Sequence, residues 1–432
     1  MAVAKLDWPT KRLSTLAEFR NGVNYNKSSF GEGVKVVGVS DFQDYSKPRY
    51  AELDQINPDG IVSERNILRD GDIVFVRSNG NRELIGRSLF IELPPEEVTH
   101  SAFTIRLRFT SPEVCPKFYA YCFRTPLIRQ ALTAQGGGTN INNLNQDILN
   151  ALEVPLPPLP VQQRIASILS AYDELIENSQ RRIKILEAMA RGLYSEWFVH
   201  FRFPGHDQPA ATVGTAEGCP EGVSVRQDAN QNHPPVASAL GEIPQGWDVK
   251  KLGDLIEFKK GKKPTAVFES AESGLKRHLL INALRGGSSK EFVAPEKLIS
   301  TTCDDTIMVM DGSGSSDVFV GYEGVIGSTL GRYRVLDNSD VGPYWLFLFL
   351  DIHVQEIKSK NIGSAIPHAN KDFINGMCVA VAPKGVLSKF EKSVMPMFGL
   401  IRSLRSKTNA LRLTRDLLLP RLLSGQINVE AP

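Results

Sequence analysis

The 432-residue sequence predicts an α+β chain of two similar globular domains, each followed by a long helix, with the two helices pairing along a shared seam. Three observations carry that reading. The chain repeats itself in three ordered blocks. Each half closes in a helical pattern too long for one small domain to cover. The length exceeds one ordinary core and fits roughly two to three domains.

The first block opens each half. WPTKRLSTLAEFRNG (8–22) lies over WDVKKLGDLIEFKKG (247–261), pairing Trp8 with Trp247, Leu13 with Leu252, Phe19 with Phe258 and Gly22 with Gly261. Next, ILRDGDIVFVRSNGN (67–81) matches STTCDDTIMVMDGSG (300–314) as turn, acidic residue, short apolar strand and Gly/Ser/Asn loop. Last, GTNINNLNQDILNALEVPLPP (138–158) matches GSAIPHANKDFINGMCVAVAP (363–383), placing Asn145 on Asn370 and Asp147 on Asp372. Three matches in one order indicate duplication.

In the first long helix the stripe Ile165, Leu169, Tyr172, Ile176, Ser179, Ile183, Leu186, Ala190, Leu193, Trp197 alternates steps of four and three. That spacing is a coiled-coil seam. In the second half Phe390, Val394, Met397, Ile401, Leu404, Thr408, Leu411, Leu418 and Leu422 keep the phase, with Arg415 as the one interruption. The apolar run YWLFLFL (344–350) is too short for a membrane span and fits a buried helix. The expected layout is a first domain over 1–158, a helix over 159–199, a connector over 200–246, a second domain over 247–383, and a second helix with tail over 384–432.

Fifty Lys+Arg against 48 Asp+Glu give a net charge of +2. This excludes a polybasic tail protein and an acidic disordered chain, but not a local basic surface. The charge is uneven. Nine basic residues in 384–424 face only Glu391 and Asp416, an excess of seven, whereas the first helix is neutral. Such an excess attracts either a DNA backbone or an acidic partner surface. Five scattered cysteines without a C-x-x-C pair argue against a disulfide framework or zinc site. With no apolar signal core at the N-terminus, the expectation is a cytoplasmic protein.

No catalytic constellation is legible. RGGSSK (285–290) lacks phosphate-loop spacing, DGSGSS (311–316) is not G-x-S-x-G, and neither H-E-x-x-H nor N-P-P-[YF] occurs. The expected catalytic, cofactor and metal sets are therefore empty. The loops carry another signal, because Arg forks suit guanine edges or phosphates and Asn can pair with adenine. The candidate DNA contacts are Arg20, Asn24, Tyr25 and Lys27; Arg77, Ser78, Asn79, Asn81, Arg82 and Arg87; and Asn140, Asn142 and Asn143. The second half contributes Lys259, Lys260, Lys262 and Lys263; Ser313 and Ser315; and Asn361, Ser364, His368, Asn370 and Lys371.

The strings VPLPPLPVQQRIASIL, ALGEIPQGWDVKKLGDL and RDLLLPRLLSGQI, in this order and with the duplication, resemble the specificity subunits of type I restriction–modification systems. The resemblance implies two target-recognition domains, each reading one part of a bipartite, asymmetric site in double-stranded DNA. It implies helices that run antiparallel with pseudo-twofold symmetry, act as a spacer and dock two methyltransferase subunits. S-adenosylmethionine, ATP and Mg are then expected in those and in restriction/translocase subunits, with no cofactor and no catalysis in this chain. The second half departs from the pattern, having VAPKGVLSKF where the first has PLPPLPVQQRI. A protein-docking scaffold without base readout, and the specificity subunit of a type IIB system, are the alternative readings. A helix from Ile165 to Trp197 spans roughly 50 Å, on the order of 15 base pairs, which suits a spacer.

Overall fold

A computed structural model describes residues 8–42, 46–134, 143–205, 243–287, 291–363, 366–427 and 429. The chain divides into two compact units, Met1–Ile176 with Ala410–Pro432, and Glu177–Asn409. Most of the connector, residues 206–242, lies outside the described residues.

The first unit contains strands β1 (Thr10–Arg12), β2 (Ala17–Asn21), β3 (Phe30–Val37), β4 (Asp54–Ile56), β5 (Ile73–Val76), β6 (Ser88–Phe90), β7 (Val98–His100), β8 (Thr104–Phe109) and β9 (Glu153–Pro155). Its helices are α1 (Pro116–Cys122), α2 (Pro126–Ala134), α3 (Gln146–Ala151) and the start of α4 (Leu159–Tyr194). One sheet runs β2-β8-β5-β6, a second β4-β3-β7, and β1 pairs with β9. The sequence IVFV of β5 is apolar throughout because both faces of the strand are covered. Ile73 and Phe75 enter a core with Leu107, Phe118, Tyr119 and Leu149, while Val74 and Val76 enter another with Val37, Phe42 and Ile91.

The second unit repeats this plan. Its strands are β10 (Asp248–Lys251), β11 (Ile256–Lys260), β12 (Lys276–Leu279), β13 (Phe292–Val293), β14 (Ser300–Thr301), β15 (Thr306–Val309), β16 (Val318–Phe319), β17 (Gly324–Ile326), β18 (Leu330–Val335) and β19 (Cys378–Val381). Its helices are α5 (Ile281–Leu284), α6 (Pro343–Ile352), α7 (Val354–Ser359), α8 (Lys371–Gly376) and much of α9 (Lys384–Leu423). The order β11-β18-β15-β16 answers β2-β8-β5-β6, and β10 pairs with β19 as β1 does with β9. The parallel pair β3/β7 has its counterpart in β12/β17. The YWLFLFL run is α6, with Tyr344 through Leu350 buried.

The duplication extends to side chains. Asn145 caps α3 by accepting from Ile148 N at 2.8 Å, and Asn370 caps α8 by accepting from Phe373 N at 3.0 Å. An Asn at this position satisfies one of the orphan N–H groups of the first turn. Arg106 on β8 reaches Glu18 at 2.7 Å, as Arg332 on β18 reaches Glu257 at 2.6 Å. Both lie in an R-x-R strand whose second arginine holds a buried aspartate, Asp72 or Asp305.

The helical seam forms as its spacing predicts, every seam residue being buried or half-buried. Within the first unit, Ile165 and Leu169 of α4 share a core with Leu422 of α9, and Asp173 pairs with Arg415. Within the second, Tyr194 meets Phe390 at 5.9 Å and Glu187 pairs with Arg405 at 3.0 Å. In each unit higher positions on α4 meet lower positions on α9, which is antiparallel pairing. α9 begins immediately after Pro383, whose carbonyl accepts from Val386 N at 2.8 Å, so it starts without the Pro-Pro and Gln-Gln of the first helix.

Among the described residues no helix is long and apolar enough to cross a membrane, and no group of three His, Cys, Asp or Glu is placed to hold a metal. Among the described residues Cys115, Cys122 and Cys303 are free cysteines.

Candidate nucleic-acid interface

In the first unit three of the loops singled out by composition converge. The end of β2 carries Arg20, and the segment after it carries Asn24, Tyr25 and Lys27. It reaches the start of α3 through Gln146 Nε2, which donates to Asn21 Oδ1 at 3.2 Å. The loop after β5 meets the same region, because Leu144 N donates to Arg77 O at 2.9 Å and Ser78 bridges Asn143. The convergence follows from topology, since β2 and β5 flank β8 in one sheet and end at the same edge.

A fourth element, not singled out in the sequence, sits among them. The turn Ser101-Ala102-Phe103-Thr104 joins β7 to β8. Val23 pairs with it on one side, through Ala102 N to Val23 O at 2.8 Å; on the other side Arg77 N donates to Phe103 O at 2.8 Å. Gly22 is required here, because a Cβ would fall 2.2 Å from His100 O. His100 is buried, and Thr104 Oγ1 lies 2.9 Å from its Nδ1. That hydroxyl already donates to Ser101 O at 2.7 Å, so Nδ1 must carry the proton. Burial, reinforced by Arg106, Arg108 and Arg20, pushes the imidazole pKa down to about 3. His100 is therefore a neutral strut in the turn.

The second unit assembles the same edge from different chemistry. Asp311, the counterpart of Ser78, bridges His368, the counterpart of Asn143. Its carboxylate takes His368 Nδ1 at 2.7 Å and Lys260 Nζ at 3.1 Å. Burial raises the Asp311 pKa, but the hydrogen bonds from His368 and Lys260 outweigh it and hold the carboxyl below its ordinary range. Lys371 lies over the Phe258 ring at 5.2 Å, and Ser316 Oγ donates to Asn361 Oδ1 at 2.9 Å. Gly261 repeats the role of Gly22, with a Cβ falling 2.1 Å from Gly327 O.

Asn24, Lys27, Asn79, Asn81, Asn143, Lys259, Lys260, Lys262, Lys263, Ser313, His368 and Lys371 are exposed, whereas Arg20, Tyr25, Arg77, Ser78, Arg87, Asn361 and Asn370 are half-buried. Several have local duties. Asn79 Oδ1 accepts from Asn81 N at 2.7 Å and Asn81 Oδ1 from Glu83 N at 3.0 Å, which shapes the Arg77 loop. The Tyr25 hydroxyl bonds Ser101, and burial raises its pKa. Lys259 pairs with Glu257 at 2.7 Å. Ser315 is corrected outright: it is 2% exposed and donates to Met310 O at 3.3 Å, so it has no surface to offer. Asn370 is corrected in part, its side-chain oxygen being engaged as the α8 cap. Asn140, Asn142, Ser364 and the Arg82 side chain lie outside the described residues.

The excess charge of α9 is partly internal. Arg402 donates to Tyr344 Oη at 2.8 Å, Arg405 to Val320 O at 2.9 Å, and Arg415 to Asp173 and Asp416. Lys389, Lys392, Lys407 and Arg421 of the helix are exposed.

The model of the family described as type I restriction modification DNA specificity domain matches residues 5–188 and 244–381. The MjaIX specificity subunit of Methanocaldococcus jannaschii is 27% identical over 334 residues, covering 73% of this chain and 70% of that one. A putative MjaX specificity subunit from the same organism is 24% identical over 441 residues, covering 98% and 94%. The EcoKI specificity subunit of Escherichia coli is 26% identical over 194 residues, 43% of this chain and 40% of that one. The S subunit of a type I system from M. genitalium shares the fold, with a TM-score of 0.57, 16% identity and 96% of each chain covered. With the family match falling on both copies of the repeat, the chain belongs to the type I restriction–modification DNA specificity family, the DNA-recognising and non-catalytic component of such systems.

Proposed function

We propose that each unit reads one part of a bipartite, asymmetric DNA site and that the chain thereby directs methylation and restriction by partner subunits. One observation carries the asymmetry. The same scaffold presents Ser78 and Asn143 in the first unit but Asp311 and His368 in the second. Ser and Asn offer both donors and acceptors, whereas a carboxylate only accepts. Two readers with different edges select two different sequences. Arg20, Arg77, Lys262 and Lys263 supply phosphate-binding charge around those edges.

Two methyltransferase subunits, holding S-adenosylmethionine, and restriction/translocase subunits, using ATP and Mg, are the proposed partners, in the cytoplasm where the DNA is. The exposed side chains Ile185, Met189, Met395 and Leu400 on the helical part of the second unit are apolar surface suited to protein contact. The test is selection from randomised duplexes by the complete complex. Recovery of two short blocks with a fixed gap supports the proposal; recovery of no preferred sequence refutes it.

A further inference from the structure

The turn between β7 and β8 displays Phe103 at 60% exposure, although the chain around it is tightly fixed. Its carbonyl accepts from Arg77 N at 2.8 Å and Ser78 N at 3.3 Å, and its own N–H donates to Ser101 Oγ at 3.2 Å. Thr104 N closes the turn on Ser101 O at 2.8 Å, and His100 braces it from beneath. A single exposed aromatic is ordinary on a protein surface. This one is different in placement. It stands where the Arg20, Arg77 and Asn143 loops meet, on a backbone that has almost no freedom to turn the ring inward.

The second unit provides an internal comparison. There Met310 N donates to Thr329 O at 2.8 Å and Leu330 N to Gly327 O at 3.1 Å, the same turn built on residues 327–330. The residue at the position of Phe103 is Thr329. The turn therefore keeps its geometry without an aromatic, so Phe103 is not needed to fold it.

We propose that Phe103 is a base-contacting wedge, whose ring enters the stack at one step of the half-site read by the first unit. The inference rests on the reading that these loops face DNA. Apolar side chains pushed between base pairs partly unstack and kink a duplex, and a ring recovers stacking with the exposed base faces. Cationic neighbours bring the backbone close, and a rigid turn avoids the entropy of ordering a mobile loop on binding. Thr329 cannot do this, so the second half-site is bound without a wedge.

The experiment uses the complete complex with the DNA sequence that it selects. 2-Aminopurine is placed in turn at each position of the first unit's half-site, leaving out the methylated base. The wild type is expected to raise fluorescence at one step. Phe103→Ala is expected to abolish that rise and weaken binding to the selected DNA on the order of tenfold, with random DNA unaffected. Phe103→Trp should retain both signals. A fluorescence pattern unchanged in Phe103→Ala overturns the inference, as does equal loss on selected and random DNA, or a loss of subunit assembly alone. If the wild-type complex selects no sequence at all, it is the underlying reading of bipartite recognition that fails.

Discussion

Asp72 and Arg108 form a two-pronged contact, Nε to Oδ1 and NH2 to Oδ2, each at 2.7 Å, with the carboxylate 1% exposed. Arg334 and Asp305 repeat it at 2.6 Å on both arms. The pair ties the turn before β5 to β8, the strand that leaves the Phe103 turn. Asp72→Ala leaves the half-buried Arg108 without its carboxylate, and since breaking a fully buried pair costs about 3–5 kcal/mol, the loss here is at most of that order. Urea unfolding should show that loss, with Asp305→Ala losing less because Arg334 is 41% exposed.

Gly22 and Gly261 predict a second, more local effect. Alanine at either position drives a Cβ into a backbone carbonyl that cannot retreat without moving the β7–β8 turn or its counterpart. Strain of this kind typically costs about 1–3 kcal/mol. Gly22→Ala should therefore weaken binding to selected DNA far more than it changes helix content by circular dichroism, and recognition of the second half-site should survive.

The duplication, both helices and the seam were legible because period and repetition are properties of residue type alone. The meeting of the loops was legible only in part. Asn79, Asn81 and Asn370 looked like base readers by composition, yet their oxygens hold turns and a helix start, a role that Asn fills equally well. The match of Asn145 with Asn370 ahead of a helical stretch was the available signal for a cap. Phe103 carries no local sequence signal, because a lone aromatic lacks the Arg, Asn and Gly composition that marks a base-reading loop. Its exposure depends on which strands pair, which no local pattern gives. The R-x-R strands were likewise invisible, since a charged residue in alternation normally signals a solvent face, and Arg106 is 2% exposed.

The ion pair between Asp173 and Arg415 joins the two long helices within the first unit, and it predicts a contribution to their register. Both side chains are largely buried, at 15% and 21% exposure, and Tyr121 adds a hydrogen bond to Asp173 at 2.8 Å. A double-mutant cycle of Asp173→Asn and Arg415→Met should give a coupling of about 1–3 kcal/mol. A coupling near zero would show that the apolar seam alone fixes the pairing.

Glu391 of α9 predicts a pH dependence. Its carboxylate accepts from Trp345 N at 2.9 Å at the start of α6, and burial raises its pKa to about 7 from an ordinary 4.5, with Asp304 adding a smaller push. Because the folded value is the higher one, the stabilising proton is fully held below pH 4.5, and its contribution is lost as pH rises through 7. The difference is on the order of 3 kcal/mol. Thermal melts should show this contribution falling between those limits, and Glu391→Gln, which keeps the acceptor without the charge, should remove it.

The most direct measurement is sequence selection from randomised duplexes by the complete complex, repeated with Arg77→Ala and with His368→Ala. Two short blocks separated by a constant gap are predicted. Arg77→Ala should change or erase one block and His368→Ala the other, with assembly intact in both. A single contiguous block, or one substitution altering both blocks alike, would contradict two independent readers on one chain.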